Sequence, residues 1–179
     1  TPMAREFAKI FTRVWQDADF RSLTHTEQWL YLHLITRPDL SYAGVCDWRP
    51  KRISAQADGI NAQQVEFAAA VLMAKGCIVT DDETEELLVR SYQRNDGFLS
   101  GSWKNGVAVT KAHNMIISPT VAGVHVHELQ RLQSDYPTWK GFAGLEEVLG
   151  RTGVDPGTLR VDAVQLPPPT VFADSTPPF

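Results

Sequence analysis

The chain has 179 residues, a net charge of −4 and 43% hydrophobic residues, a balance typical of globular proteins. This length suits one domain of ordinary size with an appendage, or two small domains that share an interface. No apolar run approaches the roughly 20 residues needed to cross a bilayer, and the N-terminus lacks the order of a signal peptide, so we expect a cytoplasmic protein. The acidic balance excludes a broadly basic surface, so any contact with DNA must use a local patch.

The first predicted elements are an extended segment and a helix. Aromatic and β-branched residues between Phe7 and Trp15 favour a strand, although their spacing also fits a helix. Thr24 and Glu27 form an S/T-x-x-E capping box ahead of an apolar run. This pattern predicts a buried helix that ends before Pro38, because a proline disfavours the helical conformation of the residue preceding it.

A short strand and two short helices are predicted next. Ala43–Trp48 has the composition of a strand, and Pro50 suits the first position of a helix. After a turn, Asn61 and Gln64 form a second capping-box pair, and the helix that they open ends at Gly76. The sequence therefore predicts two helices joined by a tight turn.

Two strands and a hairpin tip follow. Cys77–Thr80 and Leu87–Tyr92 have the composition of strands, and the acidic segment Asp81–Glu86 between them has the length and polarity of a tip. The complete order is helix, strand, helix, turn, helix, strand, tip and strand, which is the order of a winged helix-turn-helix domain. Its predicted core consists of Leu30, Leu34, Val65, Leu72, Ile78 and Val89.

The C-terminal part is predicted to be helical and then extended. Gly97–Gly106 is interpreted as a connector, and Val107–Ile117, Val126–Leu132 and Phe142–Leu149 as helices. Prolines within Leu166–Phe172 predict a polyproline-like tail. The expected fold class is α+β, mainly α, with a winged helix-turn-helix domain, a helical C-terminal extension and an extended Pro-rich tail. The expected limits are 1–16 for an extended N-terminal segment, 17–96 for the winged helix-turn-helix domain, 97–150 for the helical region and 151–179 for the tail.

Four segments carry a resemblance to a known family, namely Trp15–Leu23, Glu27–Leu34, Pro38–Val45 and Glu85–Gly97. Over roughly residues 7–118 the chain resembles the winged helix-turn-helix proteins of actinobacteria and their phages, a helix-turn-helix or replication-initiation-like family. The resemblance implies a DNA-binding fold. It also implies a phage or prophage protein that acts in transcription regulation or replication initiation.

Eight residues are candidates for contacts with double-stranded DNA. Cations that open the first helix of the pair suit phosphates, and amides at the start of the second helix suit base edges. Two arginines on and after the last strand suggest a second basic surface. The plainer alternatives are a solvated helix face, helix capping and exposed strand positions. The candidates are Arg49, Lys51, Arg52, Asn61, Gln63, Gln64, Arg90 and Arg94.

The hairpin tip does not suit DNA, because five of the six residues in Asp81–Glu86 are acidic and phosphates would repel them. The tip therefore faces away from DNA, or the domain serves another partner. The alternative function is a protein-binding module on a winged-helix scaffold, which engages a host or phage protein through its acidic wing and C-terminal region. Its candidate residues are Asp81, Asp82, Glu83, Glu85, Glu86 and Phe172, the last of them in the Pro-rich tail.

Motifs for catalysis or metal binding are not evident. Val124–Glu128 holds two histidines and a carboxylate but lacks a third distant ligand. Cys46 and Cys77 have no CxxC spacing, and the sequence contains neither a nucleophile motif nor a Gly-rich phosphate loop. We therefore expect a non-enzymatic protein without cofactor or metal. The expected partners are double-stranded DNA, a host or phage protein, and a second copy of the chain.

Overall fold

The capping signals in the sequence set the starts of the two central helices. The computed structural model describes residues 6–159. The amide of Thr24 donates to the Glu27 carboxylate at 2.8 Å, and the Glu27 amide donates back to the Thr24 hydroxyl at 3.4 Å. Asn61 and Gln64 exchange the same pair of bonds at 2.8 and 2.9 Å. Each box satisfies amides that have no partner inside the helix, so both helix starts are determined locally.

The described residues form an α+β, mainly helical fold. Short 3-10 helices cover Thr12–Gln16, Phe98–Ser100, Lys140–Gly144 and Pro156–Thr158. The α-helices are α1 (Ala18–Arg21), α2 (His25–Thr36), α3 (Pro50–Ser54), α4 (Ala62–Ala74), α5 (Tyr92–Asp96), α6 (Trp103–His113), α7 (Pro119–Asp135) and α8 (Glu146–Leu149), and the strands are β1 (Val45–Asp47), β2 (Ile78–Asp81) and β3 (Glu86–Val89).

The three strands form one antiparallel sheet in the order β1–β3–β2. Ile78 and Val89 pack in the core with α2 and α4, whereas Val79 and Leu88 pack against α7 on the other face. Successive strand residues point to opposite faces, so the same two short strands join both halves of the molecule. The sheet therefore lies between two layers of helix.

The core prediction is confirmed, because all six side chains are at most 1% exposed. The set comprises Leu30, Leu34, Val65, Leu72, Ile78 and Val89.

The C-terminal helices form a second core with the 3-10 helix Lys140–Gly144. Gly106 of α6 lies so close to that segment that an added Cβ would come within 1.8 Å of the Gly141 carbonyl oxygen. A glycine is required there because backbone atoms, unlike a flexible side chain, cannot give way. This close approach holds α6 against the polypeptide that follows α7.

The prediction of a strand at Phe7–Trp15, and of an entirely extended segment over residues 1–16, is wrong. Thr12–Gln16 is a 3-10 helix, and Phe7, Ile10 and Phe11 are exposed. Val14 packs on the main core and the Trp15 ring meets Phe20 edge-on at 5.4 Å. The apolar residues at the end of this segment therefore pack onto a helix and do not pair with a strand.

Several predicted boundaries also differ. Strand β3 ends at Val89, and Tyr92 begins a helix. Helix α6 starts within the predicted connector Gly97–Gly106 and ends at His113, ahead of the predicted Ile117. Helix α7 is longer than predicted, and residues 151–159 of the expected tail bring Val154 against the sheet-facing side of α7. Residues 160–179, with Phe172, lie outside the described residues.

Within residues 6–159, no helix is both long and apolar enough to cross a membrane.

Candidate nucleic-acid interface

Helix α3 presents two free cations. Lys51 and Arg52 are exposed, and no carboxylate of residues 6–159 lies within ion-pair distance of either side chain. The pKa of Asp39 is lowered first by its hydrogen bond from Arg37 and to a smaller extent by the charge of Arg52. Both cations are placed by Ile53, which anchors this short helix in the core.

Arg49 does not share that freedom. Its Nε lies 3.2 Å from a Glu85 carboxylate oxygen and 3.7 Å from Asp47. Arg49, which we predicted to contact DNA, is therefore ion-paired with the hairpin, and its contact with DNA stays a prediction. Asp47 ends β1 two residues before Arg49, whereas Glu85 belongs to the tip and approaches Arg49 only in the folded chain.

Two of the three side-chain amides at the start of α4 take part in helix capping, and the third does not. Asn61 and Gln64 accept each other's backbone amides with their side-chain carbonyl oxygens, so those oxygens are not available for a bidentate pair with adenine. Gln63 is exposed and has no capping bond. Of the three amides predicted to face DNA, Gln63 alone is free within the described residues.

The rest of α4 is almost uncharged. The helix contains no lysine or arginine, and Glu66 is its one acidic residue. Phe67, Ala70 and Met73 are half-buried on the same helix. Any electrostatic attraction to phosphates at this end of the molecule therefore comes from α3.

Most carboxylates of the acidic hairpin are bound within the chain. The Ser118 hydroxyl donates to Asp81 at 2.5 Å, and the backbone amides of Ile117 and Ser118 donate to Glu86 at 2.7 to 3.2 Å. The pKa of Asp81 is lowered, chiefly by the Ser118 hydroxyl. These bonds tie the hairpin to the start of α7 and supply negative charge where a helix dipole is positive.

The hairpin tip itself is held in the same way. Asp82 accepts a hydrogen bond from Trp48 Nε1 at 2.8 Å, and Glu85, with φ of 54°, pairs with Arg49. Glu83 is exposed and is the one acid of the hairpin whose carboxylate makes no hydrogen bond or ion pair with a described residue. The other four acids of the predicted docking surface make hydrogen bonds or ion pairs within the chain, and their contact with a protein partner stays a prediction.

Both arginines of the predicted second basic surface are ion-paired within the chain. Arg90 Nη2 lies 2.6 Å from Glu128, and its Nη1 donates to the Gly76 carbonyl at 2.8 Å. Arg94 lies 2.6 Å from Asp135. Both acids belong to α7, so these arginines connect the first half of the chain to the second.

A buried histidine pair was not foreseen. His113 of α6 and His125 of α7 bring their Nδ1 atoms within 2.8 Å, and both rings are nearly inaccessible. Burial lowers the pKa of His113 to about 4 and that of His125 to about 3. In the sequence, His125 was a weak candidate for metal binding beside His127. No sequence pattern connects it to His113, which is 12 positions away on another helix. Within residues 6–159, no cluster of three or more metal-ligating side chains occurs.

No protein-family model, curated protein or solved structure matches this chain. The function is therefore inferred from the geometry and charge of the site.

Proposed function

We propose that this chain is a non-enzymatic DNA-binding protein with a winged helix-turn-helix domain, of phage or prophage type, that acts in transcription regulation or replication initiation. The order of α2, β1, α3, α4, β2 and β3, and the strand order in the sheet, support that fold. The observation that carries the proposal is the exposure of Lys51 and Arg52 on α3 without an ion-pair partner among the described residues.

The two helices have different roles in the proposed complex. The first helix of a helix-turn-helix crosses the DNA backbone, and the second lies in the major groove. Lys51 and Arg52 on α3 therefore contact phosphates. Gln63, at the start of α4, reaches base edges, where an amide pairs with adenine. Asn61 and Gln64 act indirectly, because their capping box determines where α4 begins.

This footprint is small for one protein molecule. Each phosphate contact steepens the dependence of log affinity on log salt by about 0.9. Two contacts give a slope of about −2 for one protomer, which is shallow for a protein that recognises a site. We therefore propose that two copies bind paired half-sites, as helix-turn-helix dimers do.

Selection of bound fragments from the cognate genome, followed by fluorescence anisotropy at several salt concentrations, tests the proposal. Lys51→Glu with Arg52→Glu is expected to weaken binding at least tenfold, and to flatten the salt slope by about one unit per lost contact. Lys104→Glu with Lys111→Glu is the matched control, because both lysines are exposed on α6 and the change in net charge is the same. Equal losses in the two double variants would argue against an α3 interface.

The second candidate function is a protein-binding module that engages a host or phage protein. Met115 and Ile117, in the loop between α6 and α7, are 78% and 75% exposed. The Ile117 amide donates to Glu86, so this apolar pair lies beside the hairpin that carries Glu83. Glu83→Lys with Ile117→Ser should abolish such an association and leave DNA binding unchanged. The two functions are thus separable by one double variant.

A further inference from the structure

Two cavities adjoin beside α5, and neither is lined by α3. A cleft of about 190 Å³ lies between α5, α7 and the end of α4, and a groove of about 620 Å³ lies between the N-terminal segment, α2 and α5. Gly76 and Ser91 line both cavities. The Ser91 hydroxyl lies 3.2 Å from the Tyr31 hydroxyl, at the boundary between them. The cleft and the groove are therefore neighbours, separated by no more than Gly76 and Ser91.

The cleft carries more positive than negative charge. Three arginines line the cleft, namely Arg90, Arg94 and Arg131. Glu128 is the one acidic residue in its lining. Arg90 is held by Glu128 and the Gly76 carbonyl. Arg94 and Arg131 are more exposed, and each makes one ion pair with a described residue. Because a guanidinium has five donors in a planar fork, both retain donors suited to the oxygens of a phosphate.

A buried acceptor in the same cleft lacks a donor. Gln93 is 3% exposed, and its Nε2 donates to the Tyr42 carbonyl. Its Oε1 is buried and accepts no hydrogen bond from any described residue. A buried acceptor normally has a partner. Because this Oε1 is inaccessible to solvent, it marks the buried wall of the cleft, and the ligand contacts that we infer come from the arginines.

The groove suits a neutral aromatic group. Phe11 and Tyr31 line it, and the Arg13 guanidinium lies 4.5 Å from the centre of the Phe11 ring. Stacking on aromatic and guanidinium planes is how proteins hold nucleobases without reading their sequence. Three cations and three acids balance in its lining, so a second anion is not favoured there. They are Lys9, Arg13, Lys75, Asp17, Asp19 and Asp96.

The two volumes suggest how the ligand divides. Pockets for whole small molecules measure about 300–1,000 Å³, so the cleft is too small for more than a phosphate group and the groove is large enough for the remainder. We propose that the cleft and groove together bind a nucleoside phosphate. Its phosphate lies against Arg94 and Arg131, and its base lies in the groove beside Phe11. This site does not depend on the proposed DNA interface.

Isothermal titration calorimetry of the full chain tests the proposal with three probes: inorganic phosphate, the four ribonucleoside monophosphates, and the corresponding nucleosides. At least one monophosphate is expected to bind tenfold or more tightly than either inorganic phosphate or its own nucleoside. Arg131→Gln should weaken that binding about tenfold, because the phosphate loses one hydrogen bond from a charged donor. Arg151→Gln is the matched control, because Arg151 is also exposed and paired with a glutamate, Glu147, 2.7 Å away.

Phe11→Ala separates the two parts of the site, because it should weaken the monophosphate and leave inorganic phosphate unchanged. Equal weakening by Arg131→Gln and Arg151→Gln would mean an adventitious ion only, and would overturn the proposal. A monophosphate that binds no more tightly than phosphate would overturn it as well. The variant Lys51→Glu with Arg52→Glu should retain nucleotide binding, so failure of the DNA proposal is distinguishable from failure of this one.

Discussion

Ser118 shows how one side chain connects two parts of the molecule. Its hydroxyl accepts the Val121 amide at 3.1 Å as the N-cap of α7, and donates to Asp81 of β2 at 2.5 Å. The residue is fully buried. A hydroxyl with both roles explains why an acidic hairpin is tolerated beside α7, since its charge meets donors rather than other acids.

Replacement of Ser118 by alanine tests this role. We expect Ser118→Ala to lower the free energy of unfolding by about 1–3 kcal/mol, because a helix cap is lost and Asp81 loses a donor. Ser102→Ala is the control, since Ser102 occupies the N-cap position of α6 without a side-chain capping bond. Urea denaturation of both variants measures the difference. Equal effects would contradict the capping role of Ser118.

The histidine pair predicts sensitivity to acid. A hydrogen bond between two Nδ1 atoms needs one ring that carries a proton on Nδ1 and one that does not, so the bond is lost when both rings are protonated. Arg151 opposes protonation of His113, and Glu147 favours it to a smaller extent. With folded-state pKa values of about 4 and about 3, both rings stay neutral in the folded chain between those values and the unfolded value of about 6.5.

Stability should therefore fall as the pH drops from about 6.5 toward 4, because the unfolded chain binds protons that the folded chain refuses. The loss is at most about 1.4 kcal/mol per pH unit for each histidine, and no loss arises from this pair above pH 7. Denaturation midpoints at pH 7, 6 and 5 measure the slope. His113→Asn with His125→Leu should flatten it, whereas His127→Gln should not.

At the scale of elements, the short strands serve two cores. Alternation in β2 and β3 sends Ile78 and Val89 to α2 and α4, and Val79 and Leu88 to α7. A strand that is apolar on both faces needs cover on both sides. The apolar runs that predicted these strands therefore also indicate that a second layer of structure covers the sheet. They do not indicate which helix forms that layer.

Helix α4 offers the clearest test of the first core. Leu72→Ala should cost about 2–5 kcal/mol, from lost transfer energy and a residual cavity. The side chain is fully buried, and its neighbours Val65 and Ala69 are held by the same helix. Glu66→Ala, exposed on α4, should change stability by less than about 0.5 kcal/mol. Similar denaturation midpoints for the two variants would refute the assigned burial.

At the scale of the whole molecule, ion pairs explain the modest charge available for binding. The chain has 17 basic and 21 acidic residues. Six arginines are paired with carboxylates, which leaves few free cations at any one place. They are Arg37, Arg49, Arg90, Arg94, Arg131 and Arg151. The location of the exposed cations, rather than net charge, therefore decides which surface attracts phosphate.

The same contacts predict that the two predicted regions, 17–96 and 97–150, unfold together. Arg90 and Glu128 join them, and α7 covers one face of the sheet. Unfolding followed by tryptophan fluorescence and by far-ultraviolet circular dichroism should give coincident transitions. A chain that ends at Asp96 would expose Val79 and Leu88, so we expect it to lose its cooperative transition. A midpoint equal to that of the full chain would contradict this coupling.

The sequence by itself determined the order of elements from α2 to β3, the two capping boxes and the six-residue core. Caps and periodicity depend on residues three or four positions apart, so they are legible without a fold. Only the tertiary structure decided which charged and polar side chains are free. Arg90 meets Glu128 across 38 positions, and Ser118 meets Asp81 across 37. Such pairs arise when separate elements pack, and no local pattern specifies them.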